Sequence, residues 1–225
     1  MALIEPLKNE LTNNSLHLKK YSAPLRLWHW LSAIVISGSL LTVLANSTIT
    51  NGRSNSGIIQ KSLSEKNISV SSDQARGAAH EISDKVWALH TYFGYTLAAL
   101  FVFRLILELF QRADQKLIRN IKAAYKQHMV LRKDREIARH KLVVKSLYFT
   151  FYTLLMIMAI TGMCLAFEDD IEALKKIHAI REIHGFCMYL IIAFIVVHLA
   201  GVFLAERKDN KGIVSDMING GNTGE

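Results

Sequence analysis

Cysteine and proline are nearly absent from this 225-residue chain, and each absence excludes a class of structure. The two cysteines, Cys164 and Cys187, both lie in apolar stretches, so neither a disulfide framework nor a Cys-x-x-Cys metal or redox motif is available. The Cys-x-x-Cys-His sequence that attaches c-type haem is also missing. The two prolines, Pro6 and Pro24, precede the first apolar run, so the rest of the chain is free to be helical.

Apolar residues and charge are both abundant, but they occupy different parts of the chain. The sequence is 51% hydrophobic, yet 27 Lys and Arg outnumber 19 Asp and Glu for a formal net charge of +8. A nucleic-acid-binding protein would cluster such bases on a polar surface. Here the bases flank apolar runs, which argues against nucleic acid as a partner and favours a membrane.

Four apolar runs are each long enough to cross a bilayer as a helix, which takes about 20 residues. They lie near Leu27 to Ala45, Val86 to Phe110, Val143 to Phe167 and Ile183 to Ala205. None alternates every second residue as a barrel strand would, and within lipid a separate apolar run pairs its own backbone only as a helix. The sequence therefore predicts an all-α membrane protein, a single domain built as a four-transmembrane-helix up-down bundle.

The distribution of Lys and Arg predicts the orientation of this bundle. The N-terminal segment, the second connection and the tail together carry 18 of these bases, whereas the other two connections carry 8. The positive-inside rule then places both termini in the cytoplasm. A cleaved signal peptide is the alternative for the first run, since Val43-Leu44-Ala45 resembles a cleavage site, but the long polar lead-in and an embedded histidine argue against it.

The connections differ in composition. Residues 46–85 are Ser- and Asn-rich, and we expect a partly ordered outer loop there. Residues 206–225 form a polar cytoplasmic tail that we expect to be loosely held. Residues 111–141 form a basic connection that we expect on the cytoplasmic side. Its apolar residues recur at helical spacing: Ile118, Ile121, Tyr125 and Met129. This pattern predicts either an amphipathic helix on the inner leaflet or an extension of the second membrane helix.

Four of the nine histidines lie inside the apolar runs, where an ionisable residue is costly and marks a candidate site. His29 lies toward the cytoplasmic end of the first helix, and His90 lies toward the outer end of the second. The fourth helix carries His184 at its outer end and His198 14 residues later, about 21 Å along the axis and within about 40° of the same face. Depth therefore predicts two pairs, His90 with His184 outside and His29 with His198 inside.

Two imidazoles from facing helices of an apolar bundle are a ligand set for haem iron, and two axial histidines favour electron transfer. Gly94, Gly185 and Gly201 would let a flat macrocycle approach the backbone. A single buried histidine is more often an interhelical hydrogen-bonding residue, but four at matched depths favour two haems. We expect a solvated or capping role for the other five histidines: His17, His80, His128, His140 and His178. Of these, His178 lies six residues before His184.

Two arginines accompany the histidines. Arg104 and Glu108 are four residues apart on one helix, and an ordinary ion pair is one interpretation. The other is that Arg104, together with Arg26 three residues before His29, contacts the propionates of the inner haem, because guanidinium groups bind carboxylates in a bidentate manner.

Several short motifs carry a family resemblance: Arg26-Leu-Trp-His29-Trp30, His90-Thr-Tyr-Phe-Gly94-Tyr95 followed by Arg104, Thr161-Gly162, His184-Gly185 with His198, and Asp216-Met217-Ile218-Asn219-Gly220. Together they resemble the prokaryotic four-helix di-haem cytochrome b family, of the cytochrome b-561 type, which includes the membrane subunits of nickel-iron hydrogenases and formate dehydrogenases. The resemblance covers roughly Tyr21 to Gly220. It implies two haem b groups, each held by two histidines in the pairing that depth predicts.

The leading functional hypothesis is a di-haem cytochrome b of the bacterial inner membrane that carries electrons between the quinone pool and a redox partner, either an oxidoreductase subunit or a cytochrome c. We expect it to be an electron-transfer component without a catalytic centre of its own. An alternative is a stand-alone oxidase that passes electrons from a small diffusible reductant such as superoxide to quinone, with Lys85, Lys175, Lys176 and Arg181 attracting the anion. A weaker alternative is a haem-free membrane protein with a transport or anchoring role. The sequence does not select the direction of electron flow, the partner, the quinone site or the oligomeric state.

Overall fold

The computed structural model describes residues 21–110, 121, 125, 135–208 and 212–221. Within these ranges every regular element is a helix. The seven described helices are α1 (Ala23–Thr48), α2 (Gly52–Ser64), α3 (Ser72–Phe110), α4 (Arg135–Ala166), α5 (Glu172–Lys175), α6 (His178–Lys208) and α7 (Ile213–Asn219). The fold class is therefore the all-helical one that the sequence predicts.

Four of these helices are long and apolar enough to cross a membrane. The spans are Ala23–Thr48, Ser72–Phe110, Leu142–Ala166 and His178–Arg207. Only 22% of the most apolar stretch of the first span is buried against protein, and the share is 11% in each of the other three. So many apolar side chains outside a protein core require lipid around them, because water would oppose their exposure.

The structure differs from the sequence expectation for the predicted outer loop, residues 46–85. Helix α2 occupies part of it and ends at Ser64, and in the turn that follows Asn67 adopts a left-handed conformation, with φ of 59°. Helix α3 begins 14 residues before the apolar run at Val86. Ser71 and Gln74 exchange hydrogen bonds between side chain and backbone, at 3.0 and 3.2 Å, and this capping box starts α3 at Ser72.

The basic connection, residues 111–141, falls mostly outside the described residues, including Ile118 and Met129 of the predicted amphipathic helix. Its last described part belongs to α4, which begins at Arg135, before the apolar run near Val143. The tail, which we expected to be loosely held, contains α7.

The chain divides into two compact units, which are described separately. In the unit formed by residues 31–192, α2 packs against α3 and α3 packs against α4. Here Asn46 connects the end of α1 to α3, because Ser83 Oγ donates to Asn46 Oδ1 at 3.0 Å. In the unit formed by residues 1–30 and 193–225, α7 contacts the start of α1, since the Tyr21 amide donates to the Gly220 carbonyl at 3.0 Å.

Candidate functional site

In the unit of residues 1–30 and 193–225, the structure brings His29 of α1 to His198 of α6. We call these residues the α1–α6 pair. Their ring centroids are 6.2 Å apart at an interplanar angle of 60°. Aromatic rings flank both imidazoles: Trp30 meets His29 edge-on at 5.2 Å, and Phe194 stacks on His198 at 6.0 Å with planes 5° apart. His29 Nδ1 is buried without a hydrogen-bond partner in the described part of the chain.

In the unit of residues 31–192, the structure brings His90 of α3 to His184 of α6. We call these residues the α3–α6 pair. Their ring centroids are 6.4 Å apart at an interplanar angle of 81°. Trp87 meets His90 edge-on at 5.4 Å, which repeats the relation of Trp30 to His29. Both pairs therefore place one imidazole from α6 opposite one imidazole from another helix.

Threonine hydroxyls determine which ring nitrogen carries the proton in the α3–α6 pair. Thr42 Oγ1 lies 2.9 Å from His90 Nδ1, and its own proton goes to the Ser39 carbonyl at 2.6 Å. The Thr42 oxygen therefore accepts, and His90 Nδ1 donates. Since one nitrogen of a neutral imidazole is the donor and the other the acceptor, His90 Nε2 keeps its lone pair.

His184 has the same arrangement on the other side of the pair. Thr161 Oγ1 lies 2.9 Å from His184 Nδ1 and donates its proton to the Ile157 carbonyl at 2.7 Å. His184 Nδ1 therefore donates to the Thr161 oxygen, and His184 Nε2 also keeps its lone pair. Neutral imidazoles whose distal N–H is held by a hydrogen bond are the form in which histidine binds metals.

The spacing of both pairs fits one metal atom between two imidazoles. With nitrogen–metal bonds of about 2.0 to 2.1 Å, as in zinc sites, and about 1.1 Å from each nitrogen to its ring centroid, opposed imidazoles have centroids about 6.3 Å apart. The observed separations are 6.2 and 6.4 Å. Among the described residues there is no cluster of three or more His, Cys, Asp or Glu side chains that could hold a metal ion by themselves. Each pair therefore suits a metal whose remaining ligands come with it, as the porphyrin supplies in haem.

Glycines keep the backbone open beside the imidazoles. A Cβ at Gly162 would lie only 3.2 Å from His184 Cε1, so glycine lets α4 approach this ring. A Cβ at Gly94, Gly185 or Gly201 would meet no described atom within 4 Å. The last three are the glycines expected from the sequence to admit a flat macrocycle, and the open space beside them is consistent with that role.

The two arginines have partners within the protein. Arg26 donates from Nη1 to the Ile218 carbonyl, while its Nε is buried without a hydrogen-bond partner among the described residues. Arg104 is only 7% exposed and pairs with Glu108 at 2.9 Å, and its Nε donates to the Tyr152 hydroxyl, also at 2.9 Å. Arg104 and Glu108 thus form the ion pair that was one of the two interpretations. Arg26 retains one N–H donor, at Nε, that is suited to a carboxylate.

The turn between α4 and α6 is rich in ion pairs. Arg181 pairs with Glu168 at 2.7 Å, and Lys175 pairs with Asp169 at 2.9 Å. The hydrogen bond and charge of Asp169 raise the pKa of Lys175 above its ordinary value. A cavity of about 330 Å³ lies here, lined by the Glu168–Arg181 pair and by His178, among others. His178 is exposed and lies on this cavity rather than beside His184 in the pair.

Sequence reasoning missed Thr42 and also Ser39, whose Oγ lies 3.3 Å from His90 Nδ1. It assigned no role to Thr161. Thr42 and Thr161 are 6% and 9% exposed, and a buried hydroxyl in an apolar helix needs a partner. Ser39 and Thr42 are three residues apart, on one face of α1. That spacing is the sequence signal that could have marked the two hydroxyls as a pair. It does not indicate that they contact His90, which lies 48 residues from Thr42.

Comparison with known proteins identifies a family. The sequence model of a family described as prokaryotic cytochrome b561 matches residues 20–220. A search of curated proteins and a search of solved structures each returned no match.

Proposed function

This chain belongs to the prokaryotic cytochrome b561 family, and from that premise we propose that it is a di-haem b-type cytochrome carrying electrons between the quinone pool and a redox partner. Family membership makes it a multi-pass membrane protein of electron transfer that binds haem b. The number of haems, the quinone and the partner belong to the proposal. We further propose that it lies in the bacterial inner membrane with both termini in the cytoplasm, as the distribution of bases predicts.

The observation that carries the proposal is the presence of two facing imidazole pairs with a spacing near 6.3 Å. His29 and His198 would hold one haem, and His90 and His184 the other. Haem supplies a one-electron Fe(III)/Fe(II) couple when bound, and ligation by two histidines would leave no coordination position for a substrate. Both pairs draw one ligand from α6, 14 residues apart in the sequence, so a single helix contributes to both sites.

The protein's own side chains prepare the α3–α6 pair for this role. Thr42 and Thr161 hold a proton on each Nδ1, which leaves each Nε2 available as a metal ligand without competition from a proton. In the α1–α6 pair, Trp30 and Phe194 cover the imidazoles with apolar rings. A largely apolar environment limits the access of water, which affects the reduction potential of a haem.

The stand-alone oxidase is supported less well by the structure. Its expected attraction for an anion rested partly on Lys175, Lys176 and Arg181, and each of these bases forms an ion pair, with Asp169, Glu172 and Glu168 respectively. Residues 168–182 contain five acidic and three basic side chains in all. This segment therefore has a net negative charge, which opposes the approach of a small anion.

Haem content and quinol oxidation test the proposal. We expect the protein purified in mild detergent to contain two haem b per chain, with the absorption spectrum of six-coordinate low-spin haem, and a short-chain quinol to reduce both. A preparation with no haem would contradict the proposal and favour the haem-free alternative. Steady-state oxidation of superoxide by the isolated protein, with quinone as the only acceptor, would favour the stand-alone oxidase instead.

Replacing Thr161 by Val tests the hydrogen bond to His184. The change removes the hydroxyl while keeping nearly the same shape, so His184 Nδ1 loses its acceptor. Loss of the hydrogen-bond partner of a metal-binding histidine typically lowers metal affinity by about 10- to 100-fold. We therefore expect retention of the haem at the α3–α6 pair to fall by about tenfold. Haem loss to apomyoglobin, followed optically, measures this retention.

The matched control is Thr153→Val on the same helix, because the only hydrogen bond of the Thr153 hydroxyl among the described residues is to the Phe149 carbonyl of that helix, at 3.0 Å. We expect this variant to keep both haems as the wild type does. Equal haem loss from the two variants would show that the hydrogen bond to His184 has no special role.

A further inference from the structure

The short helix α7 depends on contacts with the rest of the chain. It has only seven residues, and isolated helices of that length are unstable in water. Its start is capped by Glu206, whose carboxylate accepts from the Gly212 amide at 2.7 Å and the Val214 amide at 3.3 Å. Its end is capped by Gly220, which has φ of 107°, a conformation that suits glycine. Both ends of α7 are thus defined structurally, unlike those of a loose tail.

The carbonyl groups at the end of α7 accept hydrogen bonds from the start of α1. Trp30 Nε1 donates to the Met217 carbonyl at 3.2 Å, and Arg26 donates to the Ile218 carbonyl. The last carbonyls of a helix lack partners within the helix, and a cation near them is favourable. These two hydrogen bonds, together with that from the Tyr21 amide to Gly220, are called the tail contact.

The two side-chain donors of the tail contact lie on either side of His29 in the sequence. Arg26 precedes His29 by three residues, and Trp30 follows it directly. Trp30 also touches the imidazole itself, edge-on at 5.2 Å. Unlike His90 and His184, whose Nδ1 atoms are held by threonine, His29 has a buried Nδ1 with no hydrogen-bond partner in the described residues. No described hydrogen bond to Nδ1 therefore orients the His29 ring, and one of its ring contacts is with Trp30, which is itself hydrogen-bonded to α7.

We propose that α7 is part of the haem site of the α1–α6 pair, and that it positions His29 through Trp30. Trp30 is thus a positioning residue for that haem, and α7 fixes the indole ring through the Met217 carbonyl. The proposal rests on the haem ligation given under the proposed function. It assigns a role in the haem site to a C-terminal segment that lies outside all four membrane-spanning helices.

Trp30→Phe tests this role, because it removes the N–H donor and keeps an aromatic ring. We expect the low-spin electron paramagnetic resonance signal of the haem at the α1–α6 pair to shift and broaden. We also expect its retention to fall by about tenfold, as for loss of other groups that orient a ligand. The signal of the haem at the α3–α6 pair should not change.

Trp87→Phe is the matched control. Trp87 has the same edge-on relation to His90 as Trp30 has to His29, at 5.4 against 5.2 Å, but His90 is also held by Thr42. We expect Trp87→Phe to leave both signals close to those of the wild type. An unchanged signal at the α1–α6 pair in Trp30→Phe, with both haems present, would overturn the proposal.

Removal of residues 210–225 provides a second, independent test. We expect the truncated chain to show the same altered signal as Trp30→Phe, and the combination of the two changes to add little, since both act on one contact. Additive effects would show that α7 does not act through Trp30 and would overturn the proposal. A wild-type protein without haem would overturn the proposed function and this inference together, whereas two haems unaffected by either change would overturn only the inference.

Discussion

Replacing His184 by Ala is expected to remove the haem of the α3–α6 pair and to leave the haem of the α1–α6 pair in place. On the proposed ligation, the substitution deletes one of the two histidines that would hold this haem and leaves only His90 of the facing pair. The contacts of His29 and His198 with each other, with Trp30 and with Phe194 do not involve His184, so we expect the second site to remain. Haem content should fall from two to one per chain, as measured by the pyridine haemochrome spectrum, with one of two low-spin signals lost.

His178→Ala is the matched control for this experiment. His178 lies on the same helix, six residues earlier, but it is exposed and lies on the cavity at the turn. We expect this variant to keep both haems. His29→Ala should give the complementary result, with loss of the other haem only. If His184→Ala retained both haems, or if His184→Ala and His29→Ala removed the same one, the assignment of ligands to two pairs would be wrong.

Replacing Arg104 by Ala is expected to destabilise the protein by about 2 to 3 kcal/mol, between the costs for an exposed and for a fully buried ion pair, because the Glu108 side chain is 28% exposed. Glu108 would lose its partner at 2.9 Å, and the Tyr152 hydroxyl would lose a donor. Since Arg104 is 7% exposed and lies within a membrane-spanning helix, little water is available to replace it. The free energy of unfolding in mixed-detergent titrations measures the effect.

Arg181→Ala is the control, because Arg181 also pairs with a carboxylate but its side chain is 74% exposed. We expect a loss of about 1 kcal/mol or less there. The double substitution Arg104→Ala with Glu108→Ala should recover part of the lost stability, since it also removes the carboxylate that loses this ion pair. Equal stability of Arg104→Ala and Arg181→Ala, together with a changed reduction potential of one haem, would instead support contact between Arg104 and a propionate.

Much of the fold was predictable because hydropathy is a local property of the chain. An apolar run of about 20 residues must be helical in lipid whatever surrounds it, so the four spans could be identified without tertiary information. The helices nevertheless extend beyond the runs. α3 begins at Ser72, where the Ser71–Gln74 capping box starts it in a polar segment that hydropathy alone does not mark.

The histidines of the candidate site were also identifiable from the sequence, since an ionisable residue in an apolar helix is rare and its depth follows from its position along the run. Their hydrogen-bond partners were not. Thr42 lies 48 residues from His90, and Thr161 lies 23 residues from His184, so no local pattern connects a hydroxyl with the ring it orients. Ser and Thr are common in membrane helices, where they bond to their own backbone as readily as to another helix.

The sequence by itself determined that this is an all-helical membrane protein with four histidines in its apolar runs, because composition and periodicity express the cost of placing each residue in lipid. The tertiary structure decided which side chains orient those histidines. It also showed that Arg26 and Trp30 bind the carbonyls of α7, more than 180 residues away, instead of leaving the tail loose. A backbone carbonyl is the same in every residue, so the sequence carries no sign of which ones a distant donor will reach.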